Sequence, residues 1–300
     1  MRKAASALLV LASVIGHGPS ATAAFPGSNG RIVFVRYTNA TGFDIVDMNP
    51  DGSGAQDLTG QRYRDYEPAW SPDGSLISFD RLVDGRYQIF TMAADGGSKT
   101  QITSGDSDNL WSAWSPDGSK LVFTRYSSRL GDDEIFVMNA DGTSRMRLTD
   151  NRALDYSPVW SPDGTMIAFN RQTPRQTDIW LMNADGTGQI NLTPGTGTQD
   201  AEPNWSPDGT AIAFERTVAG GTREVFVMNA DGTEPTRLTE EGVHDGNPAW
   251  SPDGTLIAYV RVRYHAGADI WVMDADGSNE TRVTTTRGTS EFDPDWQPVL

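Results

Sequence analysis

One pentapeptide, Trp-Ser-Pro-Asp-Gly, recurs five times, starting at Trp70, Trp114, Trp160, Trp205 and Trp250, and a degenerate sixth copy stands at Trp296-Gln297-Pro298. The intervals are 44, 46, 45, 45 and 46 residues. A chain with such a period repeats one supersecondary unit that cannot bury its apolar face alone and must stack on its neighbours. A second motif has six copies, opening at Asp44, Gln88, Glu134, Asp178, Glu224 and Asp269 and ending at a Met four residues later. Each copy leads into an Asp-Gly turn and then into Leu-Thr, Ile-Thr or Val-Thr. The unit therefore reads as four short strands. The first ends at the Trp, and Ser-Pro-Asp-Gly makes a type I turn with Pro at its second position. The second carries an Ile/Leu/Val-x-Phe pattern, the third is the Met-ending motif, and the fourth ends at Leu-Thr. β-branched and aromatic residues bounded by Gly, Pro and Asp are the strand signature. No helical period survives beyond the first two dozen residues. Four antiparallel strands per ~45 residues make a blade of a β-propeller.

The ends of the chain support a closed ring. Gly30–Arg36 is a second strand without its first, and Asp293–Trp296 is a first strand without the rest. Joined, they complete one blade and leave no open sheet edge. The expected fold is all-β, a six-bladed β-propeller of four antiparallel strands per blade, spanning residues 25–300 as one domain. Residues 1–24 read differently. Arg2 and Lys3 precede an apolar run from Ala4 to Gly16, and Ala21-Thr22-Ala23-Ala24 offers a small-residue cleavage site. That is a secretory signal peptide. The apolar run breaks too early for the ~20 residues a membrane-spanning helix requires. The mature chain is expected to be secreted or periplasmic, with no transmembrane segment, and to be a monomer. The net charge of −16 argues against nucleic acid as a partner, because phosphates call for a basic footprint. The absence of cysteine removes thiol nucleophiles, thiolate metal sites and disulfides.

Trp-Ser-Pro-Asp-Gly-x-x-Ile-Ala-Phe followed by Asp-Ile-Trp-Val-Met and an Asp-Gly turn resembles the repeat of the TolB-like six-bladed propellers, over residues 30–300. The resemblance implies a periplasmic propeller that binds partners on one face of its ring, as TolB binds the peptidoglycan-associated lipoprotein. The sequence has no counterpart of the separate N-terminal domain of TolB. Similar repeats precede α/β-hydrolase domains in prolyl-peptidase relatives and build a metal-dependent pectate-type lyase, so the repeat does not itself fix a function.

Comparing the six copies with one another locates the informative surface. The turns joining strands one to two and three to four are nearly identical between copies, which marks one face as framework. The loops joining strands two to three, and those joining blades, vary freely and share the opposite face. Loops on a rigid scaffold are where binding is placed. Near that face an acid stands five residues before the Trp in five blades (Asp65, Asp155, Asp200, Asp245 and Glu291), with Asn109 in the third. An arginine stands two residues past the strand-two aromatic in all six: Arg36, Arg81, Arg125, Arg171, Arg216 and Arg261. The spacing folds each acid opposite or diagonal to its arginine across the hairpin, as a ring of structural ion pairs. Blade three departs from the rule. Asn109 leaves Arg125 without its acid, and Trp111 replaces a polar residue, so this blade is a candidate for holding a carboxylate or stacking on a sugar or a partner's side chain.

Glu67, Glu202 and Asp293 lie two residues past ring positions and are expected to face the channel, where carboxylates could hold Ca²⁺. No EF-hand or Gly-Gly-x-Gly-x-Asp spacing accompanies them, and no other cofactor is indicated. Past the leader the histidines are His244 and His265. His244, beside Asp245, is a candidate for the channel mouth. A Gly-x-Ser-x-Gly elbow and a phosphate-cradling Gly-Lys-Ser/Thr loop are both absent. The leading expectation is a non-catalytic binding scaffold for a protein or cell-envelope partner. The alternative is a glycan- or peptide-processing lyase or hydrolase acting at the same channel mouth.

Overall fold

The computed structural model describes residues 24–60, 63–127, 132–195, 197–240, 242–263, 267–286 and 288–300. Most of the predicted leader, and His265, lie outside them. Regular structure among the described residues is all strand, arranged as six four-stranded antiparallel sheets. Five sheets are continuous in sequence, and the sixth joins Thr289–Val299 to Ser28–Thr38, Gly42–Met48 and Gln56–Asp57. Numbering this closing sheet blade one, blades two to six follow in chain order. In blade one Ile32 pairs with Trp296 and Val33 with Asp295, so both termini share one sheet. The Trp296 indole donates to the Ala249 carbonyl of blade six at 3.1 Å, which ties the closing strand to its neighbour.

Each sequence signature has its physical counterpart. In blade two the Gly74 amide donates to the Ser71 carbonyl at 2.8 Å, closing the turn. Asp73 accepts from the Ser71 hydroxyl at 2.6 Å and from the Ser75 amide at 3.0 Å. The same pattern recurs at Asp117, Asp163, Asp208 and Asp253. Serine hydroxyl donation is the main cause that holds the Asp73, Asp117, Asp163 and Asp208 carboxyls below their ordinary range. The conserved Thr closing strand four accepts a strand-three amide through its hydroxyl, as Thr103 does from Ile89 and Thr149 from Ile135. Blades stack through their aromatic faces, with Phe34, Phe79, Phe123, Phe169, Phe214 and Tyr259 fully buried.

The first strand of every blade is interrupted in a way the strand reading did not anticipate. Its pairing with strand two shifts register between Tyr66 and Ala69 and at the matching places in the other five blades. The residue at the shift has a left-handed backbone each time: Glu67 (φ 54°), Trp111 (55°), Ser157 (49°), Glu202 (58°), Asn247 (55°) and Asp293 (53°). A proline follows in five of the six, and Ser112 follows in blade three. Proline cannot donate to a ladder, so inside a sheet it belongs at a bulge. Each inner strand thereby turns one side chain out of the pleat.

Candidate functional site

The ring positions lie directly opposite one another in the strand register: Asp65 with Arg81, Asn109 with Arg125, Asp155 with Arg171, Asp200 with Arg216, Asp245 with Arg261, and Glu291 with Arg36. Four pairs are bidentate, with Arg81 meeting Asp65 at 2.7 and 2.7 Å and Arg261 meeting Asp245 at 2.8 and 2.7 Å, and Arg171–Asp155 and Arg216–Asp200 alike. Arg36 reaches Glu291 through one contact of 3.2 Å. All five acids are fully buried. The arginines lie over aromatics from strands two and three, as Arg171 over Phe169 (5.2 Å) and Trp180 (4.3 Å). Buried, bidentate and stacked, these groups bind the sheet to itself. Removing one partner would strand a charge away from water.

Blade three has no such pair. Asn109 is buried opposite Arg125 and donates to Gln88 Oε1 at 3.0 Å and to the Ser107 carbonyl at 3.1 Å. Trp111 is 4% exposed, its ring 5.6 Å from Tyr156 of blade four and its amide bonded to Asp80 Oδ2 at 2.8 Å. As a surface stacking platform Trp111 therefore has to be given up. It fills the seam between blades three and four.

The other left-handed residues are buried as well, Asn247 partly so. Glu202 accepts from Asn170 at 3.2 Å, and Asp293 accepts from Asn247 at 2.8 Å. Two acids that the sequence reading passed over, Asp80 and Glu215, join them. Glu215 pairs with Arg223 at 3.0 Å. Among the described residues one oxygen each of Asp80, Glu202 and Glu215 has no hydrogen-bond partner. Burial raises the pKa of Glu202 and of Asp80 well above the carboxylate range. Burial and the Glu215 charge push Asp293 up to about 7. Carboxylates crowded away from water relieve their repulsion by holding protons. His244 is half-buried, accepts the Arg223 amide at 3.4 Å, and has its pKa lowered chiefly by burial. Among the described residues no three His, Asp or Glu side chains converge as metal ligands would.

A cavity of about 430 Å³ opens on the opposite, framework face, walled by Phe25, Pro26, Pro72, Trp114, Pro116 and Leu300 among others. Sequence reading gave no hint of it, because the segment at Phe25 belongs to no repeat. Its carboxylates, Asp73 and Asp117, are spent on their own turns.

A family model described as the TolB beta propeller domain matches residues 10–129 and 109–300. The chain belongs to the TolB β-propeller family. Among solved structures, TolB from Acinetobacter baumannii superposes with a TM-score of 0.81 at 22% identity, covering 99% of this chain and 72% of that one. A putative TolB from Agrobacterium tumefaciens gives 0.70 at 20%, covering 90% and 99%. A chain of a nidogen–laminin complex gives 0.71 at 15%, covering 89% and 98%. No curated protein matches the sequence. These likenesses establish the fold of this TolB-family propeller; its site is argued from its own residues.

Proposed function

We propose that this TolB-family propeller is a non-catalytic binding scaffold, secreted or periplasmic, that engages a protein or cell-envelope partner through its loop face and the adjoining mouth of the channel. The observation that carries this reading is the contrast between faces. On the framework face five Ser-Pro-Asp-Gly turns repeat one hydrogen-bond pattern. On the other, Thr38–Gly42, Thr173–Gln176 and Val218–Thr222 connect equivalent strands by different routes. Loops of differing course set on a rigid ring are where specific contacts are built. Propellers in TolB and in a nidogen–laminin complex share the architecture, which supports a protein partner. The charge of −16 favours a partner that is not itself strongly acidic overall.

The test is a pull-down from envelope extract with the mature chain, beside a variant whose Thr173–Gln176 and Val218–Thr222 loops are replaced by Gly-Ser linkers of equal length. A partner captured by the parent and lost by the variant supports the reading. Turnover of a glycan or peptide substrate by the parent chain overturns it.

A further inference from the structure

The six blades are internal controls for one another, and blade three differs from the rest in charge as well as in packing. Three positions of the repeat bear on the charge of this region: the ring acid opposite the arginine, the residue opening strand three of the preceding blade, and the residue three places past the Asp-Gly turn. In blade six the first and third both contact the arginine. Arg261 lies over Tyr259 (5.3 Å) and Trp271 (4.6 Å), with Asp245 on one edge and Glu280 on the other at 2.8 and 3.0 Å. In blade four Gln189 takes the Glu280 place and accepts from Arg171 at 2.8 Å.

At the seam of blades two and three Asn109 stands for the ring acid and Gln88 for the acid that opens strand three in the other five blades; at the third position, where blade six has Glu280 and blade two has Lys99, stands Arg145. One hydrogen bond joins the two amides, from Asn109 Nδ2 to Gln88 Oε1, and among the described residues Asn109 Oδ1 has no partner. Arg125 lies 5.5 Å above Phe136 and Arg145 lies 5.8 Å above Phe123, whose rings are themselves 5.9 Å apart. Both guanidiniums therefore sit over one aromatic pair. Among the described residues Arg125 donates to the Ser107 hydroxyl alone, at 3.3 Å. The acids beside it are committed elsewhere: Asp108 to Arg86 at 3.1 Å, and Glu134, its register partner, to Arg147 at 2.6 Å. Among the described residues neither Arg125 nor Arg145 makes an ion pair with a carboxylate. Two neighbouring guanidiniums without a carboxylate partner are a local concentration of positive charge on a chain of net charge −16.

We propose that Arg125 and Arg145 form a binding site for a carboxylate, the acidic side chain of a partner polypeptide, which enters the place that Glu280 occupies in blade six. The planar guanidinium fork matches a carboxylate in two parallel hydrogen bonds, and the aromatic pair beneath holds the forks in position. Burial first, and then the charge of Arg125, lower the pKa of Arg145, and the mutual repulsion of the two cations is relieved when the anion arrives. This site is independent of the loop-face reading, and either can fail without the other.

The experiment titrates the mature chain with a capped hexaglutamate peptide by calorimetry at low salt, beside Arg145→Glu and Lys120→Glu, which carry the same charge change. Lys120 is exposed at the framework end of strand two in blade three, outside the variable loops, so its variant controls for net charge. Melting curves verify that both variants are folded. The expected result is saturable binding that Arg145→Glu weakens by at least about tenfold and Lys120→Glu leaves within about twofold. No binding to the parent chain, or equal loss in the two variants, overturns the proposal.

Discussion

In blade six Arg261 lies between Asp245 and Glu280; in blade three Arg125 lies between Asn109 and Arg145. The backbone registers are the same, and both arginines are stacked over an aromatic of strand three. The scaffold thus accepts a change from two acids to an amide and a cation without altering its pairing. What holds a ring arginine in place is therefore the aromatic bed as well as the counter-charge, since blade three keeps the first and has lost the second. The remaining difference is energetic, and substitution in the two blades measures it.

The largest effect is expected from Arg261→Met. It leaves the fully buried Asp245 without its guanidinium, at a cost of about 3–5 kcal/mol. Arg125→Met faces a neutral Asn109 and relieves Arg145, so its change should stay within about 0.5 kcal/mol. Denaturant melts of the two variants give the ratio directly. Equal losses would mean that the ion pair contributes nothing beyond packing.

Trp111→Ala extends the contrast to the channel side, where blade six has Asn247 at the equivalent left-handed position. Trp111 is buried against Tyr156, so truncation should leave a cavity and cost about 3 kcal/mol. A loss below about 1 kcal/mol would return Trp111 to the surface role that its sequence context suggested.

Asp293→Asn probes the acid-rich side of the channel, where Glu202, Glu215 and Asp293 influence one another. The folded pKa of Asp293, about 7, lies above its ordinary value of 3.8. Between those values the folded chain keeps a proton that the unfolded chain releases, so this group makes stability fall as pH rises through that window. The asparagine variant should match the parent near pH 4 and exceed it by about 2 kcal/mol at pH 8. Parallel stability curves across that range would show that Asp293 is not held protonated.

Much of this was legible in the chain, for identifiable reasons. The spacing from Asp65 to Arg81 straddles a turn whose geometry Pro72 and Gly74 impose, so the register followed from the turn. The bulges were written in Pro68, Pro158, Pro203, Pro248 and Pro294, but that signal is read only when a proline inside a strand is taken as an irregularity. The surroundings of Trp111 were not legible, because burial there comes from Tyr156 of the next blade. Asp80 and Glu215 escaped for a related reason: their positions differ in chemistry from blade to blade, and only closure of the ring brings them towards Asp293, with Arg223 beside Glu215. Arg145 stands in a strand-four approach that varies freely, and its significance emerges from Glu280 and Gln189 at the same place.

The smallest effect bears most directly on why blade three differs. Arg145→Glu recreates blade six, removing one repulsion and supplying Arg125 with a carboxylate, whereas Glu280→Arg recreates blade three beside an arginine that still keeps Asp245. Both positions are partly open to solvent, so each change should be under about 1 kcal/mol, the first stabilising and the second destabilising. The sign is the informative part. If Arg145→Glu stabilises the chain, the native blade three is less stable than its own repeat allows, which is what a site kept for an external carboxylate would show. If it destabilises, Arg145 is held by contacts that blade six lacks, and its charge belongs to the packing of that seam. High salt should shrink the stabilisation by screening the pair and leave a packing effect unchanged.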